Sequence, residues 1–526
     1  MAVGHGAPPF GRSTVGRTGA DPGIDGDVDR LDLLAREDYA AASTGTVPGM
    51  GTAVVVGSGP NGLAGAIRLA QAGLAVTVVE AQGRPGGGAR SSELTVPGVL
   101  HDECAAFHPT GVASPFLASL RLDRHGLRWS WPEVDLAHPL DDGRAGVASR
   151  DLHASVATLG EDGERWRRTF SPIVRRFDDL MGEVLQPVVH LPRHPVSFGR
   201  FGAKALLPAT WASARFRDDP ARALFMGAAA HAFGRLDTPL TTSVGLLLAA
   251  SAHAVGWPVA EGGTEAITRA LLAELAELGG RVVTDFCADS LEQLHDLVGG
   301  RPDVVLLDTA PAGARRILGD HLPARVRRGL TRFRYGPAAF KVDLAVEGDI
   351  PWTNETCRRA GTVHLGGTAE QVAAVEKDTA RGRMPERPFV LLGQQYLADP
   401  SRSSGPVNPV YAYAHVPHGY TGDATDAILG QVERFAPGFR DRVLAVSTRG
   451  PAALETYNAN YVGGDISAGA NTARQLLFRP RPTLDPYWLG IDGVYLCSSA
   501  TPPGGGVHGM CGFNAAERAL RRLGVG

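Results

Sequence analysis

The sequence predicts an α/β fold in which a parallel-sheet domain, built from discontinuous stretches of chain, carries an inserted domain of antiparallel sheet plus helices. Three observations predict it. A β-α-β pattern of about 30 residues begins at Thr52, strict alternation of apolar and polar residues takes over between about 335 and 420, and the chain closes on a strand, a glycine cluster and a helix.

Thr52-Ala-Val-Val-Val56 is a short, apolar, β-branched run, the pattern of a strand buried on both faces. A glycine turn leads into a helical stretch with Leu63, Ile67 and Ala70 on one face, and Gly73 is the expected C-terminal stop. Ala75–Val79 reads as the second strand. From about 150 to 255 the spacing is helical, as in Arg165–Val189 and Pro220–Phe233. Ala266–Leu278 is a further helix, and Arg281–Thr284 and Asp303–Leu307 read as more strands of the first sheet. Phe340–Val346, Gly361–Leu365, Phe389–Tyr396 and Val410–Val416 read as antiparallel strands, followed by an amphipathic helix at Thr425–Phe435. The closing strand is Gly493–Cys497 and the closing helix Phe513–Leu523. Residues 1–49 lack a packed-core pattern and are expected to be a mostly disordered extension with a short helix near Leu31–Ala42.

Composition narrows the function. The 526 residues are 44% hydrophobic and carry a formal charge of −3, so no strong basic field exists to attract nucleic acid. The five cysteines, at 104, 287, 357, 497 and 511, form no C-x-x-C or C-x4-C pair, so neither a disulfide framework nor a redox dithiol is expected, nor is a metal. A reducing cytoplasm fits this usage. The longest apolar stretch, Val244–Val255, is too short to span a bilayer.

The chemistry is carried by glycine loops. Gly57-Ser58-Gly59-Pro60-Asn61-Gly62 lies between the first strand and the first helix. Gly57 permits the turn, Gly59 admits a pyrophosphate close to the backbone, and Gly62 lets helix and strand pack. The helix N-terminus offers N–H groups and a positive dipole end to the anion. Glu80, at the end of the second strand, is placed to accept hydrogen bonds from an adenosine ribose. A second loop, Arg84-Pro85-Gly86-Gly87-Gly88-Ala89-Arg90-Ser91, follows at once and distinguishes FAD from NAD: its glycines allow another close approach to the same dinucleotide, Arg84 is suited to phosphate charge and the Ser91 hydroxyl to a hydrogen bond. Val283, on the strand at Arg281–Thr284, is counted with the cofactor-binding residues. A third loop, Ser498 to Gly512, again joins a strand to a helix, but the chain ends before a second dinucleotide unit could form. Its Gly505, Gly506, Val507 and His508 are expected to face the flavin ring, with the helix dipole favouring negative charge there.

These segments resemble the phytoene desaturase and carotenoid oxidoreductase family of FAD proteins and, within it, the branch of pyridine nucleotide-disulphide oxidoreductase domain-containing protein 2. The resemblance rests on Val54–Ser91, on Pro258-Val-Ala-Glu-Gly-Gly-Thr264 and on the stretch Gly493–Ala516. It implies a Rossmann-type FAD domain from residues of about 50–130, 255–325 and 485–526, with the substrate domain in 131–254 and 326–484. In amine oxidases of the wider superfamily Arg usually follows the glycine pair; Gly88 stands there instead, which favours the desaturase side.

The expected function is FAD-dependent hydride removal from a lipophilic organic substrate, with oxygen, a quinone or a protein as electron acceptor. An oxygen-using amine or alcohol oxidase and a flavoprotein with a mainly regulatory or interaction role are the alternatives. No acid or base announces itself. His508 is a weak catalytic candidate against the plainer reading of a hydrogen-bonded loop histidine. Tyr411, Tyr413 and His415 share one strand face, either lining the substrate cavity or packing in the core. Val196–Arg217 mixes aromatic and basic residues, which suits either a peripheral membrane contact or a solvated basic face.

Overall fold

The structure is a computed structural model and describes residues 51–525; the expectations for residues 1–49 lie outside the described residues. A five-stranded parallel sheet has the order Val494–Leu496, Val304–Leu307, Thr52–Val56, Ala75–Val79, Arg281–Val283. Its strands come from three distant stretches of chain. Period-2 alternation sends Ala53 and Val55 to one face and Val54 and Val56 to the other, and both faces are buried. The helices Pro60–Gln71, Glu265–Glu277 and Met510–Leu523 cover the first face. Helices Leu291–Leu297, Pro311–Leu318 and Ala324–Thr331 cover the second.

The second sheet has seven strands, in the order Val443–Arg449, Ala338–Glu347, Val407–Val416, Val390–Gly393, Ala360–Leu365, Val134–Pro139, Ala145–Ala148. It is antiparallel except where Ala360–Leu365 runs parallel to Val134–Pro139. One face is apolar, with Val342, Leu344, Ala412, Ala414 and Val363 packed under the helix Thr425–Phe435. The other face carries Lys341, Asp343, Tyr411, Tyr413, His415, His364 and His138, all buried or nearly so. The segment after the second glycine loop lies against it: Ala106 packs with Tyr411, and His101 Nδ1 is 3.6 Å from Asp343.

Several boundaries differ from the sequence expectation. The single helix expected at Arg165–Val189 is two, Gly163–Val174 and Phe177–Val184, because Arg176 leaves the helical region (φ −130°). Phe389–Tyr396 is strand only over Val390–Gly393. There Gln394 leaves the ladder; its amide accepts from Trp352 Nε1 (3.0 Å) and donates to the carbonyls of Cys357 (2.9 Å) and Ala360 (2.7 Å). The last helix begins at Met510 rather than Phe513, started by Gly509 at φ +70°. The strands Val134–Pro139, Ala145–Ala148 and Val443–Arg449 are additions to the expected set. Among the described residues no helix is long and apolar enough to cross a membrane.

Candidate functional site

At the carboxyl ends of the parallel strands the first two glycine loops meet around one carboxylate. Glu80 accepts hydrogen bonds from the Ser58 backbone N–H (3.0 Å) and the Ser58 hydroxyl (2.5 Å) on one oxygen and from the Gln82 N–H (3.0 Å) on the other. The Ser58 hydroxyl in turn accepts from the Gly86 N–H (3.2 Å), so the acid ties the first loop to the second. The Glu80 N–H donates to the Val283 carbonyl (2.8 Å), which fixes where the second strand ends. Val283 therefore touches the site through its backbone.

The glycines are there for want of room. A Cβ on Gly62 would lie 2.0 Å from the Gly57 carbonyl oxygen, and one on Gly87 would lie 3.0 Å from the Gly59 Cα. Gly88 would drive a Cβ to 2.1 Å from the Tyr461 hydroxyl. The helix after the first loop starts with Gly59 as N-cap, without a capping side chain, and with Pro60, which has no N–H to satisfy. Asn61 donates to the Ser499 hydroxyl (3.1 Å) while its own side-chain oxygen, buried, has no partner. A helix N-terminus without a capping side chain from its own N-cap residue, glycines packed too tightly for any side chain, an orphaned buried acceptor and an acid at the second strand end together suit the phosphates and ribose of a dinucleotide such as FAD.

The other candidate residues are placed as follows. Arg84 is half exposed and turned to Glu265 (2.6 Å) and the Ser91 carbonyl (3.0 Å). The Ser91 hydroxyl donates to Asp102 (2.8 Å). Both therefore brace the second loop on the protein: Arg84, which the sequence suited to phosphate charge, by its ion pair with Glu265, and Ser91 by its hydroxyl bond. Ala89 is buried, its carbonyl held by Thr268 (2.7 Å). Arg90 is buried beneath the Tyr457 ring (4.9 Å to the centroid), and its Nε has no partner. In the third loop Gly505 lies against Ser467, Gly506 adopts φ +134°, and Val507 approaches Gly111 through its carbonyl. His508 is buried, with burial pushing its ring down to about 4; its Nδ1 accepts from the Met510 N–H (3.0 Å) at the start of the last helix. It stands one residue before Gly509, the N-cap of that helix.

Asp308 escaped the sequence reading. It follows the strand Val304–Leu307, and its carboxylate accepts from the Gly62 N–H (2.9 Å) at the helix N-terminus. Burial, with the Glu80 charge adding to it, raises its pKa to about 7, against the lowering effect of the Gly62 bond. Two further residues brace the loops: Asn460 donates to the Asp308 carbonyl (3.0 Å), and the Tyr457 hydroxyl donates to the Gly87 carbonyl (2.8 Å). A carboxylate after a strand, and polar side chains 152 and 370 residues away in sequence from the groups they hold, leave no local pattern to read.

On the inner face of the larger sheet Tyr411 and Tyr413 stack, with centroids 6.4 Å apart and an interplanar angle of 12°, and His415 continues the row. His415 Nδ1 pairs with Glu376 (2.7 Å), and His231 and His364 meet at 3.0 Å. Burial lowers His231 to about 3 and His138 to about 4, so these two imidazoles are neutral and serve as hydrogen-bonding groups.

Comparison with known proteins agrees with this geometry. Residues 55–120 match the NAD(P)-binding Rossmann-like domain family. Relatives include pyridine nucleotide-disulfide oxidoreductase domain-containing protein 2 of Mus musculus, 24% identical over 90% of this chain and 93% of that protein. They also include the neurosporene-forming phytoene desaturase of Rhodobacter capsulatus, 23% identical over 88% and 92%. Among solved structures, putrescine oxidase bound to putrescine superposes with a TM-score of 0.56 at 17% identity, covering 90% of this chain and 99% of that one. The chain is an α/β protein with a Rossmann-like dinucleotide domain, and oxidoreductases are among its homologues.

Proposed function

We propose that this chain is an FAD-dependent oxidoreductase of the phytoene desaturase type, taking hydride from a lipophilic organic substrate. The observation that carries the proposal is the convergence of both glycine loops on Glu80 through Ser58. Bound FAD would supply the hydride acceptor. Glu80 would hold the adenosine ribose, the Gly59–Gly62 turn the pyrophosphate, and the loop Gly505–His508 the isoalloxazine end. Neutral His231 and His138, with Tyr411 and Tyr413, orient polar groups across the inner sheet face without offering a charged base at neutral pH. Denaturation of the purified protein should release yellow, non-covalent FAD into the supernatant; colourless protein that also takes up no added FAD would sink the proposal.

An exposed apolar surface beside basic residues supports a lipophilic substrate. Val188, Val189, Leu191, Val196, Leu206 and Trp211 are exposed, next to Arg200 and Lys204. Such a surface suits a peripheral contact of a cytoplasmic protein with a bilayer. A second reading, an oxygen-using amine or alcohol oxidase, draws on the stacked tyrosines of the inner face. An anaerobic screen of lipophilic alkenes against amines and alcohols separates the two by which class bleaches the flavin absorbance.

A further inference from the structure

Away from both glycine loops the surface has a hollow of about 730 Å³ between the helix Ala324–Thr331 and the segment 472–482. Six arginines line it: Arg325, Arg328, Arg332, Arg334, Arg474 and Arg481. The chain as a whole carries a formal charge of −3, so the concentration of positive charge here is local. Among the described residues none of the six makes an ion pair, although their neighbours do. Arg327, on the same helix, pairs with Asp320 (3.0 Å), and Asp485, the carboxylate nearest Arg481, is taken by Arg518 (2.7 Å).

The hollow is built as well as charged. Gly329 lies under the Arg481 stem, where a Cβ would meet the Arg481 Cβ at 3.0 Å and Cδ at 3.1 Å, so the helix gives way to seat that side chain. Arg481 donates to the Trp488 carbonyl (2.7 Å), yet its Nε is shut off from solvent with no acceptor. Arg325 pushes the Arg481 pKa down by like charge, after burial. Gln475 clamps the Arg334 backbone from both sides, accepting from its N–H (2.8 Å) and donating to its carbonyl (2.9 Å), so the arginine-bearing loop is held open against the helix. Phe478, Pro480 and Pro482 supply a flat apolar wall.

We infer that this hollow is a binding site for an organic phosphate of about nucleotide size carrying two or more phosphate groups. Guanidinium forks match phosphate oxygens in pairs, and the volume falls in the range of roughly 300–1,000 Å³ typical of small-molecule sites. The phosphates pair with the arginines that lack an ion-pair partner, and the flat part of the ligand lies on Phe478 and the prolines. The same chemistry comes from a soluble nucleotide or from a phospholipid headgroup. The inference does not rest on the flavin assignment, since no hollow residue belongs to any of the three glycine loops.

The test uses the full chain saturated with FAD, with ADP and inorganic pyrophosphate as probes in calorimetric titrations at several salt concentrations. Vesicles containing cardiolipin, whose headgroup carries two phosphates, form a third arm. The comparison protein is the double variant Arg328→Ser/Arg474→Ser, both residues exposed and therefore dispensable for folding. Expected is one site per chain for ADP, tightening as salt falls, and weakened at least tenfold in the double variant while its flavin absorbance is unchanged. Vesicle binding equal in parent and variant assigns the site to a soluble phosphate. Vesicle binding lost in the variant, and displaced by ADP from the parent, assigns it to a headgroup. Parent and variant indistinguishable in all three arms would overturn the inference.

Discussion

At the scale of single residues, two acids divide the dinucleotide end between them. Glu80 lies where the sequence spacing put it, and both its oxygens are occupied by Ser58 and Gln82. Glu80→Ala removes the knot between the loops and should weaken FAD binding by about 2–4 kcal/mol, with circular dichroism unchanged; equal flavin affinity in titrations of the two proteins would show that the acid has no part in holding the ribose. Asp308 acts in the opposite sense. Its folded-state pKa is raised from 3.8 to about 7, so between those values the folded chain binds the proton that the unfolded chain has lost. Stability from this group therefore falls as pH rises from about 4 to 7, and the full penalty, on the order of 4 kcal/mol, stands above that. Asp308→Asn should melt at a higher temperature than the parent at pH 8 and at a similar one near pH 4. It should also bind FAD more tightly at pH 8, because the charge beside the Gly62 N–H is gone. Parallel melting curves of the two proteins across pH 4–8 would refute this. Glu80 was legible because a motif fixes its distance from Gly57, whereas Asp308 depends on which strand the fold lays beside the first, and only packing decides that.

At the scale of elements, the first and last helices are held together by glycines on each. A Cβ on Gly512 would lie 1.7 Å from the Asn61 carbonyl oxygen, and one on Gly65 would lie 3.2 Å from the Gly512 carbonyl oxygen. The obstacle is backbone, which cannot swing aside, so Gly512→Ala should cost at least the ~1–3 kcal/mol of an overpacked core. It should also loosen Asn61 and with it the flavin site. Thermal unfolding together with flavin release checks this; an unchanged melting temperature would mean that the helices can separate freely. The sequence offered Gly512 only as part of a glycine run, and its partner was invisible. Legibility followed pattern as much as locality. The β-α-β unit, whose strands are close in sequence and rich in valine, was readable almost to the residue. Val134–Pro139 and Ala145–Ala148 were not, although they pair with each other across a short turn, because Val-Asp-Leu-Ala-His-Pro and Ala-Gly-Val-Ala are poor in β-branched residues.

At the scale of the whole molecule, the two sheets have contrasting chemistry: the parallel one is apolar on both faces, the larger one apolar on one face and polar on the other. Only one Rossmann-type unit is present among the described residues, and the third glycine loop runs straight into the last helix. A nicotinamide nucleotide needs its own anchoring unit. Anaerobic stopped-flow mixing of the flavin-loaded protein with NADH or NADPH should therefore leave the flavin oxidised; bleaching at about 1 s⁻¹ or faster would revive a reductase reading.

The strand order of the parallel sheet also sets a schedule for biosynthesis. Thr52–Val56 leaves the ribosome early and pairs at once with Ala75–Val79, but Val304–Leu307 emerges only after the helical part of the insertion, and the edge strand Val494–Leu496 only after the rest of the larger sheet as well. Since domains fold as units during synthesis at roughly 5–20 residues per second, the first glycine loop waits on the order of half a minute for the carboxyl-terminal helix that supports it. A ribosome-stalled or prematurely terminated chain thus has the sequence motif for the dinucleotide and lacks the floor beneath it. On the proposed FAD assignment, a nascent-chain series stalled at increasing lengths should acquire yellow colour in a single late step, after Met510–Leu523 clears the exit tunnel.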